Sequence, residues 1–223
     1  MTKELLSCVE INPTTKPVAS IIWLHGLGAD GHDFAGIVPE LNLAKELAIR
    51  FVFPHAPVKP ITINAGFPMR AWYDILGLDR HSHEDGTGIR ESQKLVDALI
   101  ENEKSKGMPA HKIIIAGFSQ GGAMALHTGL RHHERLGGIL ALSCYLPLNK
   151  TLLKEAAPEN NDIPIFMAHG KQDNIVPLNF GEYSEKVLRE HGYKVEFKTY
   201  PMAHEVCVEE IVDISNWFKK IIS

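Results

Sequence analysis

The chain has 223 residues, 44% of them apolar and 22% charged, with a formal net charge of −4. That size and composition fit one globular domain, residues 1–223, with a full hydrophobic core. The mild negative charge gives no basis for a nucleic-acid partner, and no apolar run approaches the about 20 residues that span a bilayer, so no transmembrane segment is expected.

In chain order, Leu5 to Ile11 reads as an outer strand and Val18 to Leu24 as a buried one. Phe34 to Leu47 is broadly helical, interrupted or restarted at Pro39, and Ile49 to Phe53 is a short strand. A long irregular stretch follows, from Pro54 to about His83, with four prolines and the exposed-looking Phe67, Trp72 and Tyr73. Connections of that length inside a compact domain are usually functional. Glu84 to Lys106 is helical, Lys112 to Ala116 a strand, Gly138 to Leu142 the next, and Ile163 to Ala168 another. Asn179 to His191 is helical, Lys194 to Tyr200 a strand, and Glu205 to Ile222 a terminal amphipathic helix. This alternation predicts an α/β fold: a mostly parallel sheet covered by helices on both faces. The N-terminus lacks the apolar region of a signal peptide. Three cysteines, Cys8, Cys144 and Cys207, are too few and odd in number for a disulfide framework, which points to reduced thiols and a cytoplasmic location. Cys144 and Cys207 read as core residues.

Gly117-Phe118-Ser119-Gln120-Gly121 fits G-x-S-x-G and stands between the strand ending at Ala116 and a helix with a small-residue start. In that context the serine occupies a sharp strand-to-helix turn with its hydroxyl exposed at the sheet edge. A serine hydroxyl needs a base, and the base needs an orienting acid. With the chain order Ser, Asp, His and placement at carboxyl ends of strands, Asp173 is the acid and His204 the base. Asp162 lies at the wrong end of its strand, Asp213 lies inside the last helix, and His169 precedes the acid. The oxyanion donors expected from this geometry are the backbone N–H groups of Gln120 and Leu27.

The Leu27 loop also matches a dinucleotide fingerprint, Gly26-x-Gly28-x-x-Gly31. The next strand, however, ends Phe53-Pro54-His55 without the acid that fingerprint requires, so no nucleotide cofactor is expected. His25 and His55 read as loop-holding residues, and His127, His132 and His133 as helix-surface residues. The polar patch of Asp79, His81, His83, Glu84 and Asp85 has metal-ligand chemistry, but an exposed loop is the plainer reading, and no metal is assigned. Leu27, Phe67, Met69, Trp72, Leu146, Pro147, Ile175 and Val176 are apolar loop residues suited to an acyl-binding site.

Seven segments in order, among them Trp23-Leu24-His25-Gly26-Leu27-Gly28, Phe53-Pro54-His55-Ala56-Pro57, Trp72-Tyr73-Asp74 and Gly117-Phe118-Ser119-Gln120-Gly121-Gly122, are spread over nearly the whole chain. With them the chain resembles the acyl-protein thioesterase and small carboxylesterase family of α/β-hydrolases. The resemblance implies a compact α/β-hydrolase without a large cap domain, with triad roles for Ser119, Asp173 and His204. It implies hydrolysis of acyl esters or thioesters, with lipid or acylated-protein substrates and lysophospholipase activity among the family's reactions. It also implies an acyl groove shaped by the region of Val58 to Leu78. Several members are dimers, so a homodimer is among the expectations. One departure is Glu205, which follows His204 where many relatives carry a small polar residue. The rivals are a noncatalytic binding protein on the same fold and a metal-dependent hydrolase using residues 79–85.

Overall fold

The computed structural model describes residues 5–43, 47–77 and 84–222. Seven strands form one sheet: β1 (Cys8–Ile11), β2 (Ala19–Leu24), β3 (Ile49–Pro54), β6 (Ile113–Phe118), β7 (Gly138–Leu142), β8 (Ile165–Gly170) and β9 (Val195–Tyr200). Their order is β1-β3-β2-β6-β7-β8-β9, and only the edge strand β1 runs antiparallel to its neighbour. Two further strands, β4 (Val58–Ile61) and β5 (Phe67–Arg70), pair antiparallel as a separate hairpin.

The central strands are apolar on both sides because both sides are covered. Ile22 and Leu24 of β2 join one core with residues of the helices α2 (Gly86–Ser105), α3 (Gln120–Arg131) and α5 (Leu178–Glu190). Ile21 and Trp23, pointing the opposite way, join a second core with α1 (Ile37–Glu40) and α6 (Val208–Ile222). The period of two along one strand thus builds both layers. No large cap domain is inserted, and the architecture is that of an α/β-hydrolase. The short helix α4 (Leu152–Glu155) lies between β7 and β8.

Several sequence expectations need correction. Of the helix expected over Phe34 to Leu47, the described residues hold one turn, Ile37–Glu40, with Pro39 inside it and Asn42 at φ 52° beyond it; residues 44–46 lie outside the described residues. The stretch after Pro54 is not irregular throughout, since it holds the β4–β5 hairpin. Trp72 and Tyr73 are buried rather than exposed. So are His127 and His132, because α3 is enclosed along its whole length and has no solvent face; His133 is exposed as expected.

Candidate active site

The chain passes from β2 to β3 on one side and then to β6 on the other, so the strand order reverses between β2 and β6. Ligands of open α/β sheets bind outside the carboxyl ends of strands at such a switch point. The loop after β2 carries Leu27, and the turn after β6 is Ser119.

Ser119 adopts φ 54°, ψ −121°, a conformation that is rare for a residue with a Cβ and costs about 1–3 kcal/mol. The surroundings hold it there. Its N–H donates to Leu142 O at 2.8 Å, and its carbonyl accepts from Ala123 N–H at 3.0 Å. The glycines of the motif make the turn fit. A Cβ on Gly117 would lie 2.2 Å from Gly121 O, and one on Gly121 would lie 2.1 Å from Leu24 O. The small-residue start of α3 therefore lets the helix approach β2 and presents its first N–H groups beside the serine.

Asp173 and His204 lie on loops following the neighbouring strands β8 and β9, whose last paired residues are Gly170 and Tyr200. Lys171 N–H donates to Tyr200 O and Gln172 N–H to Met202 O, which ties the two loops together. His204 Nε2 is 2.9 Å from Ser119 Oγ, and His204 Nδ1 is 2.7 Å from Asp173 Oδ2. Asp173 is buried, and its other oxygen accepts N–H groups of Ile175 and Val176 at 2.9 and 2.8 Å. The carboxylate is thus fixed in one orientation. His169, rejected above on chain order, places Nε2 on Val176 O at 2.7 Å and 3.5 Å from Asp173 Oδ2. Burial lowers its pKa, which keeps it a neutral support of the acid loop. The His204 ring packs on Phe118, centroids 4.7 Å apart, a contact that the motif gives no sign of.

The Leu27 loop rests against the serine turn: a Cβ on Gly26 would lie 3.4 Å from Ser119 Cβ. Among the described residues, neither Leu27 N–H nor Gln120 N–H has a backbone acceptor. His25 holds the loop, with Nδ1 donating to Gly26 O at 2.7 Å and Nε2 accepting from Ala56 N–H at 3.0 Å. Burial lowers its pKa, consistent with that neutral tautomer. His55 Nδ1 accepts from Gly31 N–H, so both histidines do hold loops. The glycines of the rejected nucleotide fingerprint also have local reasons. Gly28 sits at φ 80° with its N–H on Arg70 O, and a Cβ on Gly31 would lie 2.3 Å from Phe53 O.

A residue whose side chain escaped sequence reasoning is Gln120. Its Oε1 accepts from Trp72 N–H at 2.8 Å and its Nε2 donates to Tyr73 O at 2.7 Å, while Trp72 Nε1 donates to His25 O. The side chain beside Ser119 therefore clamps the segment that follows the β4–β5 hairpin. A buried polar residue inside an apolar helix start was the available signal.

The apolar loop residues separate into two groups. Trp72, Leu146 and Pro147 are buried. Phe67 and Ile175 are exposed, and Met69 and Val176 half-buried. Met69 flanks the Leu27 loop, its sulfur 3.7 Å from where a Cβ of Gly28 would stand. Ile175 and Val176 flank the acid. A cavity of about 350 Å³ adjoins the same loop, lined by Gly28, Ala29, Asp30, Asp33 and Arg70. Of the 79–85 patch, Asp79, His81 and His83 lie outside the described residues. Asp85 caps α2 by accepting from Gly88 N–H, and Glu84 accepts from Leu148 N–H. Asp30, His32 and His55 bring donor atoms within 4.8 Å of one another, but Asp30 bonds His32 and His55 bonds Gly31.

The Phospholipase/Carboxylesterase family model matches residues 7–222. Acyl-protein thioesterase 1 of Neurospora crassa is 43% identical over 209 residues, covering 89% of this chain and 85% of the relative. Acyl-protein thioesterase 1 of Gibberella zeae is 40% identical, covering 96% and 97%. Among solved structures, Arabidopsis thaliana SOBER1 superposes with a TM-score of 0.87 at 31% identity, covering 92% of this chain and 99% of that one. Zea mays acyl-protein thioesterase 2 gives 0.85 at 28% identity, covering 97% and 99%. With an α/β-hydrolase sheet and a serine turn at its switch point, the chain belongs to the phospholipase/carboxylesterase family and is a hydrolytic enzyme of the esterase and thioesterase type.

Proposed function

We propose that the enzyme cleaves acyl esters and acyl-thioesters through a covalent intermediate on Ser119, with His204 as base and Asp173 as orienting acid. The observation that carries this reading is the continuous row from Asp173 Oδ2 through His204 to Ser119 Oγ, with spacings of 2.7 and 2.9 Å. The Nδ1 proton of His204 is held by Asp173, so Nε2 presents its lone pair to the hydroxyl. Ser119 Oγ attacks the acyl carbonyl as its proton passes to Nε2. The resulting oxyanion is received by the N–H groups of Leu27 and Gln120, with the N-terminus of α3 behind the second. Collapse breaks the carbonyl–oxygen or carbonyl–sulfur bond, and His204 returns the proton to the leaving alcohol or thiol. Water, deprotonated by His204, then releases the acid and regenerates Ser119.

Met69 on one side of the centre, with Ile175 and Val176 on the other and Phe67 exposed on the hairpin, are the apolar contacts for the acyl chain. The buried Trp72, Leu146 and Pro147 support that surface from behind. The names of the relatives favour an acylated protein thiol as one substrate class.

The test pairs a fluorophosphonate probe and peptide mapping with turnover of p-nitrophenyl butyrate. Label on Ser119 and abolished turnover in Ser119→Ala are expected, with activity retained in EDTA. Full turnover by that variant would end the serine mechanism. Loss of activity on chelation would favour a metal-dependent one.

A further inference from the structure

At the far end of α3 from Ser119, a second set of chemistry-bearing side chains converges. One ring nitrogen each of His132 and His133 and one carboxylate oxygen each of Glu101 and Glu134 lie within 4.8 Å of one another. They come from three places: Glu101 from α2, His132 from the C-cap of α3, and His133 and Glu134 from the turn beyond it. The turn is half-open, and a cavity of about 560 Å³ lined in part by Lys104, His111, His133 and Glu134 reaches it.

One observation points to a ligand. His132 is buried, its Nδ1 lies 2.9 Å from Asp97 Oδ1, and its Nε2 is buried with no partner among the described residues. A carboxylate holding one imidazole nitrogen while the other keeps a free lone pair is the outer-shell arrangement of metal-ligating histidines. The two glutamates are at present compensated by a cation that an incoming ion must displace. Lys104 Nζ bonds Glu101 Oε1 at 2.7 Å and also Glu134 Oε1. A lysine is a mobile point charge on a flexible stem, so its ammonium is displaceable.

We propose that Glu101, His132, His133 and Glu134 form a binding site for one divalent transition ion of the zinc class, which takes over the charge compensation that Lys104 now supplies. Two imidazoles and two carboxylates match the nitrogen and oxygen preferences of such an ion in four-coordinate geometry. The ion would fasten α2 to the end of α3 about 18 Å from Ser119, given about 1.5 Å of rise per helical residue. Its role is therefore structural and separate from acyl transfer.

The experiment uses the full chain without an affinity histidine tag, stripped with EDTA and titrated with zinc chloride by calorimetry. Co²⁺ absorption serves as a second readout. One ion per chain and the intense visible bands of tetrahedral cobalt are expected. His133→Ala and Glu134→Gln, at positions open to solvent, should weaken binding at least about tenfold, and Asp97→Asn by about 10–100-fold. They cover the case in which His132→Ala does not fold. Lys104→Met should tighten binding, because it removes the competing cation. Turnover of p-nitrophenyl butyrate should stay at the wild-type level in all of these variants. The proposal is overturned by no saturable uptake, by uptake unchanged in both His133→Ala and Glu134→Gln, or by weaker uptake in Lys104→Met.

Discussion

Under the proposed mechanism, Asp173→Asn isolates the orienting role of the carboxylate from its structural one. In the native loop Asp173 Oδ1 accepts two backbone N–H groups, from Ile175 and Val176, and Oδ2 faces His204 Nδ1. Asparagine has one carbonyl oxygen and one NH₂ group. Turning its NH₂ toward Ile175 and Val176 would oppose donors to donors and break two hydrogen bonds worth about 1 kcal/mol each, beyond the cost of leaving buried donors unpaired. The oxygen therefore keeps the loop, and the NH₂ group faces His204. Nδ1 must then accept, the imidazole proton moves to Nε2, and no lone pair is left for Ser119 Oγ. Loss of the base in a retained geometry corresponds to about 10⁴-fold in kcat, or about 5.5 kcal/mol. The assay is kcat on p-nitrophenyl butyrate across pH 6–9, alongside a thermal melt. The melt should shift by only a few degrees while turnover collapses. A kcat within about tenfold of wild type would refute the tautomer argument, and unfolding would refute the claim that the two backbone bonds carry the loop.

Gly121→Ala should prevent folding or lower stability by about 3 kcal/mol or more, because the added Cβ meets Leu24 O at 2.1 Å; soluble yield and Tm measure it. Gln120→Ala leaves Trp72 N–H and Tyr73 O without their side-chain partner, so a loss of about 2–4 kcal/mol is expected in chemical denaturation. The accompanying rise in KM should be larger for long-chain than for acetyl esters. Glu210 is fully buried, and burial raises its pKa from 4.5 to about 8 against the smaller opposing effect of a backbone hydrogen bond at Cys207. The folded state thus retains a proton that the unfolded state loses, so this group's effect on stability is nil below pH 4.5 and increasingly unfavourable as pH rises to about 8. Glu210→Gln should remove that slope and stabilise the protein at pH 8 by roughly 2–5 kcal/mol, read from denaturant midpoints at pH 5 and pH 8.

The strands that lead to Ser119 and Asp173 were legible as buried apolar runs with sharp ends, and the strand that leads to His204 as an alternating run, half-buried along its middle. Topology then removed Asp162 and Asp213, and chain order removed His169. Burial of Trp72 and Tyr73 was not legible. Their segment has no periodicity, and the groups that satisfy it, Gln120 and Ser92, are distant in sequence. Among the described residues, the helical pattern from Phe34 is broken for a local reason, since the chain turns at Asn42 after the one helical turn Ile37–Glu40. His127 misled because amphipathic reading assumes a solvent face, and α3 has none. The acyl-site residues divided as they did because an apolar loop residue reads the same in sequence whether it lines a groove or supports one from beneath.

The backbone bonds from Lys171 to Tyr200 and from Gln172 to Met202 extend the β8–β9 ladder beyond its last paired residues, Gly170 and Tyr200. Asp173 and His204 therefore ride on one continuous ribbon, while Ser119 follows β6, with β7 between. Gly170 leaves no slack in that ribbon, since a Cβ there would lie 2.1 Å from Ala203 O. An insertion or deletion between Tyr200 and His204 would shift the imidazole relative to the Asp173 carboxylate. The hairpin and the Leu27 loop lie outside the ribbon. Those two segments are tied to each other instead, Gly28 N–H donating to Arg70 O, so the spacing of Asp173 and His204 is set without them.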